Sequence, residues 1–309
     1  MTATPSICPN TMADIQSSST ELQGIALDWV GMEQIDLPLE FEGRQVSAKV
    51  DAGINLLNNE KAAKGIHMSR LYMLLDSLTE GEVTPPKIRE VLNAFLASHD
   101  GQSSHTSLAI TSELLLSRKS LNSNHYGWKA YPIHISAMAG QSNAIRMKVG
   151  IPYASTCPNS AALSRQVAQL EFRKQFGQRI DRLPLEEVVE WLGKQGLPAT
   201  PHAQRSWAWV DVELKPDSPT FPLRYVIELC EMALGTAVQT VVKRSDEQAF
   251  ALACGQNLMF CEDAARLLYR CLENEKAFCA FDIRIEHQES LHAHNAVAKV
   301  SWKEKNHVA

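Results

Sequence analysis

The sequence predicts an α+β protein built from a duplicated unit, and three observations carry that reading. Stretches that alternate apolar and polar residues, as half-buried strands do, flank stretches whose Leu, Met and Val recur at three- and four-residue steps, as in amphipathic helices. The order strand, two helices, strand occurs in both halves of the 309-residue chain, unlike the strict βα alternation of a parallel sheet. Neither GxGxxG nor GxxxxGK[ST] occurs, so no dinucleotide or P-loop site is expected.

In chain order, residues 1–25 are expected to form a flexible arm, because the Ser-Ser-Ser-Thr stretch at 17–20 has little to bury. Order begins near Leu27, and residues 45–57 read as a strand. Residues 68–78 and 86–97 read as helices, the acidic 80–82 linker marking the start of the second. Strands are expected at 106–117, 127–139 and 142–154, separated by the turn-prone Asn122-Ser123-Asn124 and Gly140-Gln141-Ser142. A helical excursion covers about 161–198, with helices at 161–174 and 184–195. A strand at 207–214, helices at 223–234 and 262–274, and strands at 277–285 and 296–302 complete the second half. The length suits two modules, 26–140 and 141–309.

Composition narrows the function. A net charge of -5 argues against a nucleic-acid binder, whose domain is ordinarily basic. Seven Cys, an odd number without disulfide-scaffold spacing, suit a reducing cytosol. No run approaches the roughly 20 apolar residues that cross a bilayer, and the first residues lack the apolar core of a signal peptide. The expected setting is the cytoplasm, away from membranes and nucleic acid.

Four separated clusters carry the chemistry: Ser155-Thr156-Cys157-Pro158, His202-Ala203-Gln204-Arg205-Ser206, Lys243-Arg244-Ser245-Asp246-Glu247 and Glu289-Ser290-Leu291-His292. Thiolate, imidazole and carboxylate form a mixed sulfur, nitrogen and oxygen set suited to zinc, iron or manganese, and no CxxC pair suggests a structural zinc. Each residue also has a plain reading. Cys157 suits a buried thiol, Glu247 a solvated charge, Glu262 an acid favoured at a helix N-terminus, and Arg205, Lys243 and Arg244 surface cations.

Six ordered motifs resemble the type IB GTP cyclohydrolase family: KGIHMSR at 64–70, YASTCPNS at 153–160, HAQRS at 202–206, KRSDE at 243–247, FCED at 260–263 and ESLHAHNA at 289–296. The likeness runs from about residue 13 to 302. It implies a tunnelling fold, with two tandem modules per chain, each an antiparallel sheet with two helices on one face, and assembly into a homotetramer. It implies hydrolytic opening of the imidazole ring of GTP to 7,8-dihydroneopterin triphosphate and formate, feeding folate and in many bacteria queuosine synthesis.

The same resemblance implies that a divalent ion, manganese, zinc or iron, is held by Cys157, His202 and Glu247, with Glu289 and His292 able to join. Glu262 resembles the acid that anchors the purine. Cys157, Glu262 and His292 are the expected catalytic residues, His292 or the less favoured His294 serving as proton shuttle. Arg205, Ser206, Lys243 and Arg244 are expected to bind substrate, joined by Lys64, His67 and Arg70 from a neighbouring subunit. The chain departs from the family in having Asn159 where a second Cys is usual, and in the long link between Cys157 and His202. Two other readings remain beside it. One is a purine- or pterin-binding protein without turnover. The other is a nitrile reductase of the same fold, which continues Glu-Ser-Leu with Lys where this chain has His292.

Overall fold

The computed structural model describes residues 25–58, 64–140, 142–179 and 182–304; most of the N-terminal arm lies outside them. Eight antiparallel strands form one sheet whose spatial order is the chain order. The first half runs β1 (Leu27–Phe41), β2 (Arg44–Leu56), α1 (Met68–Leu75), α2 (Pro85–Ser98), β3 (Thr106–Lys119) and β4 (Tyr126–Ala139). The second runs β5 (Ile145–Thr156), α3 (Pro158–Phe176), α4 (Leu185–Gln195), β6 (Ala203–Leu214), α5 (Leu223–Leu234), α6 (Arg244–Gln256), α7 (Cys261–Leu272), β7 (Phe278–His287) and β8 (Ala296–Lys303). With α3, α4 and α6 set aside, each half is two strands, two helices and two strands, so the expected repeat lacked a strand at its start. The sheet passes from one half to the other without a break, Ile133 to Ala137 of β4 pairing with Val149 to Ile145 of β5.

Strand alternation sends one side chain in two to a common face. Leu108, Ile110 and Leu114 of β3, Ile133 and Ile135 of β4, Met147 and Val149 of β5, Val210 and Val212 of β6 and Phe281 and Ile283 of β7 are all at most 1% exposed. They join residues of α1, α2, α5 and α7 in one apolar cluster. Burial of each such side chain contributes about 1.5–3 kcal/mol, so helices settle on the face that offers the most of it.

The opposite face is polar. Asp36, Lys49, Thr111, His134, Lys148, Asp211, Asp282 and Ser301 follow one another as cross-strand partners through all eight strands. Arg146 bridges Asp211, Glu213 and Asp282 there at 2.9, 3.1 and 2.6 Å.

The excursion between β5 and β6 has a small core of its own. Phe172 lies 4.9 Å from Phe176 and 5.2 Å from Trp191, ring centre to ring centre, which ties α3 to α4. Its two ends meet on one rung of the ladder, because Thr156 pairs directly with Ala203.

Candidate functional site

The site lies where β5 ends and β6 begins. Cys157 follows the last residue of β5 and caps α3, and Pro158 starts that helix where its missing N–H costs nothing. The backbones of Cys157 and His202 are clamped together: the Cys157 amide donates to the His202 carbonyl at 3.4 Å. The His202 amide in turn donates to Ser160 Oγ at 3.1 Å. The Ser of the CPNS segment therefore holds His202, and Asn159, where the family usually has Cys, takes no part in that clamp.

A cavity of about 130 Å³ opens beside this junction, and Cys157, Gln204, Cys261, Glu262, His287 and Glu289 are among the residues that line it. Residues far apart in the sequence thus meet there, and each arrives on a defined element. The start of α7 brings Cys261 and Glu262, the Phe260 amide being tied to Asp263 Oδ2 at 3.0 Å. The end of β7 brings His287, and the loop beyond it Glu289.

The electrostatics separate one ionised acid from three neutral groups. The Glu262 amide, the thiol of Cys261 and the charge of Arg266 hold the Glu262 carboxyl below its usual range. Burial and the neighbouring Glu262 carboxylate push the Cys261 thiol up to about 11, so it stays protonated and donates to Glu262 Oε2 at 3.3 Å. His287 is 2% exposed, and burial drives it down to about 4 against the pull of Glu289 and Glu262. Its Nε2 is 2.8 Å from the hydroxyl of Tyr153, a phenol whose own pKa burial raises.

Other expected site residues fall outside the cavity lining. Glu247 is exposed in the first turn of α6, and Lys243 and Arg244 are exposed at that helix start. His292 is half exposed, 3.9 Å from Glu289 and stacked on His294 at 4.8 Å. Ser206 is fully buried and its Oγ lies 2.7 Å from Ser155 Oγ, while Arg205, one residue before it, alternates to the other face. Lys64, His67 and Arg70 belong to the first half, where Arg70 donates to the Ser98 carbonyl at 2.9 Å.

Among the described residues no three His, Cys, Asp or Glu side chains gather into a ready metal cluster. The donors nevertheless fit a metal in kind. Cys157 and Glu289 share the cavity, and His202 is anchored beside them with Nδ1 3.1 Å from Gln204 Oε1, leaving its other nitrogen for a ligand.

Sequence reasoning passed over His287, Tyr153, Cys261 and Asp246. Asp246 is fully buried and accepts from the amides of Lys243, Asn122 and Ser123, each at 2.8 Å, and from Ser123 Oγ at 2.7 Å. It pins the start of α6, and with it Glu247, to the β3–β4 turn. The signal was there, an acid at the third position of a helix beside a turn rich in Ser and Asn.

Those bonds, led by the Lys243 amide, hold the Asp246 carboxyl far below the usual carboxylate range. A depressed folded-state pKa stabilises the fold above the unfolded pKa of about 4, and the gain is lost as pH falls through the folded value. Asp246→Asn is therefore expected to lower the melting temperature at pH 7 and to flatten its decline below about pH 4. Equal melting temperatures at pH 7 would show that the carboxylate does not hold this junction.

Residues 12–298 match the family described as Type I GTP cyclohydrolase folE2. The GTP cyclohydrolase FolE2 of Klebsiella pneumoniae is 63% identical over 301 residues, covering 96% of this chain and 99% of its own. That of Pseudomonas putida is 47% identical over 289 residues, covering 93% and 95%. The crystal structure of uricase from Arthrobacter globiformis superposes with a TM-score of 0.51 at 8% identity, covering 94% of this chain and 98% of that one. That is a likeness of fold, and the fold is the tunnelling fold. With its motifs matched in order and its cavity joining Cys157 to Glu262, the chain belongs to the type I GTP cyclohydrolase folE2 family.

Proposed function

We infer that this chain is a GTP cyclohydrolase: it opens the imidazole ring of GTP with water, releasing formate and giving 7,8-dihydroneopterin triphosphate. The observation that carries the reading is the meeting of Cys157 and Glu262, distant in sequence, in one cavity of a chain 63% identical to a GTP cyclohydrolase FolE2.

The residues divide the work. Glu262 is ionised, and a carboxylate accepts paired hydrogen bonds from the ring N–H and exocyclic amine of guanine, with the Cys261 thiol steadying one of its oxygens. His287, neutral and tied to Tyr153, offers a polar wall without a competing charge. Met259 and Phe260 give the cavity an apolar side. His292, in the loop between β7 and β8 and next to Glu289, is placed to relay protons. Lys243, Arg244 and Arg205 are exposed cations suited to the triphosphate.

We further propose that Cys157 and His202 hold a divalent ion, manganese, zinc or iron, with Glu289, Glu247 and His292 completing the set. Held there, such an ion would lower the pKa of a water from about 16 to about 7 and would so make a nucleophile available at neutral pH. Assembly into a homotetramer would bring Lys64, His67 and Arg70 of one copy toward the site of another. No helix among the described residues is long and apolar enough to cross a membrane, and we place the protein in the cytoplasm, its product feeding folate or queuosine synthesis.

Incubation of the purified protein with GTP and each of manganese, zinc and ferrous iron should release formate and yield a pterin that fluoresces after oxidation. The absence of product with all three ions would leave a protein that binds purines without turning them over.

A further inference from the structure

The side chain of Gln204 carries the geometry beyond the ligands themselves. Its carbonyl Oε1 lies 3.1 Å from His202 Nδ1, and its amide Nε2 donates to Ser155 Oγ at 2.8 Å. That hydroxyl lies 2.7 Å from Ser206 Oγ. Gln204 is 7% exposed, Ser155 1% and Ser206 0%, so three linked polar groups are shielded from water and depend on one another for partners.

The direction of the chain follows from which atoms can donate. An amide oxygen only accepts, so the ring nitrogen that meets Oε1 carries the proton, and a neutral imidazole protonated at Nδ1 keeps its lone pair on Nε2. Reversal of the amide would give Nδ1 the lone pair and put the proton on Nε2. In the orientation found, the amide Nε2 donates to Ser155 Oγ and Oε1 faces the ring. Because Ser155 and Gln204 are also cross-strand partners on β5 and β6, the ladder fixes the distance over which the amide reaches.

We propose that Gln204, anchored by the Ser155 and Ser206 hydroxyls, is the positioning residue that sets the tautomer and rotation of His202 for metal binding through Nε2. The inference rests on the reading of His202 as a metal ligand. It also gives buried Ser206 a role on the inner face of β6, in place of contact with substrate.

The test is metal affinity of the full-length protein, measured after chelator treatment by titration with zinc against a chromophoric chelator. Gln204→Leu, which removes the acceptor at similar size, should weaken zinc binding about 10–100-fold, the usual cost of losing a partner to a metal-bound imidazole. Gln204→Glu keeps an acceptor oxygen and should bind zinc close to wild type. Ser155→Ala, which leaves Gln204 in place but unanchored, should fall between them and serves if Gln204→Leu does not fold. In the metal-free wild type, nitrogen NMR should show His202 protonated at Nδ1, a signature lost in Gln204→Leu. Unchanged zinc affinity in a folded Gln204→Leu protein overturns the inference while leaving the ligand reading intact. Unchanged affinity in His202→Ala removes the ligand reading and the inference with it.

Discussion

Cys157→Ala is expected to abolish zinc retention and GTP turnover together. The thiolate is the soft member of the proposed donor set and lines the cavity with Glu289, whereas His202 is held beside it through backbone and Gln204 contacts that do not involve the thiol. Removing the sulfur should therefore leave the junction folded, and the melting temperature of the metal-free protein should change little. Turnover should fall on the order of a thousandfold or more, at or above the cost of one lost electrostatic contact to a transition state. Metal content by elemental analysis and formate release, measured on one preparation, check this. A variant that keeps its metal and its rate would remove Cys157 from the mechanism.

Glu262→Gln should have the opposite signature, with metal content intact and substrate use impaired. A neutral amide offers one acceptor where the carboxylate offers two, and its own N–H groups face the donors of guanine. Hydrogen bonds to a charged group are worth about 1.5–3 kcal/mol each, so KM for GTP should rise by about one to two powers of ten. The fold should tolerate the change, since the Phe260 amide is satisfied by Asp263 and not by Glu262. Steady-state kinetics decide: an unchanged KM would mean that Glu262 serves the helix end and not the purine.

How far these expectations could be drawn from sequence depended on burial. Strands such as β3 and β4, which alternate buried and outward residues along most of their length, showed their period plainly. β1 escaped because it is an edge strand whose first ten residues bury none of their side chains fully. α6 escaped for the same reason: only Asp246 is buried in it, so no apolar stripe marks it as a helix. In the site, Cys157 and Glu262 could be picked out from their motifs, and the cavity joins them. Gln204 sat inside a recognised motif without a role, because its task is set by neighbours across the ladder that no linear reading brings near. His287 was hidden similarly, its partner Tyr153 being 134 positions away.

The long segment that carries α3 and α4 enters and leaves through Thr156 and Ala203, which already face each other as a pair. Its anchor points are set by the sheet and by Ser160 in the first turn of α3, so the part beyond that turn can drift in size without moving Cys157 or His202. Loop-closure entropy rises only by about 0.6 kcal/mol for each doubling of length, a small barrier to such drift. The cavity and the outer contour of the protein can thus evolve, or be engineered, largely independently, with this helical hairpin as the natural place to splice in new surface.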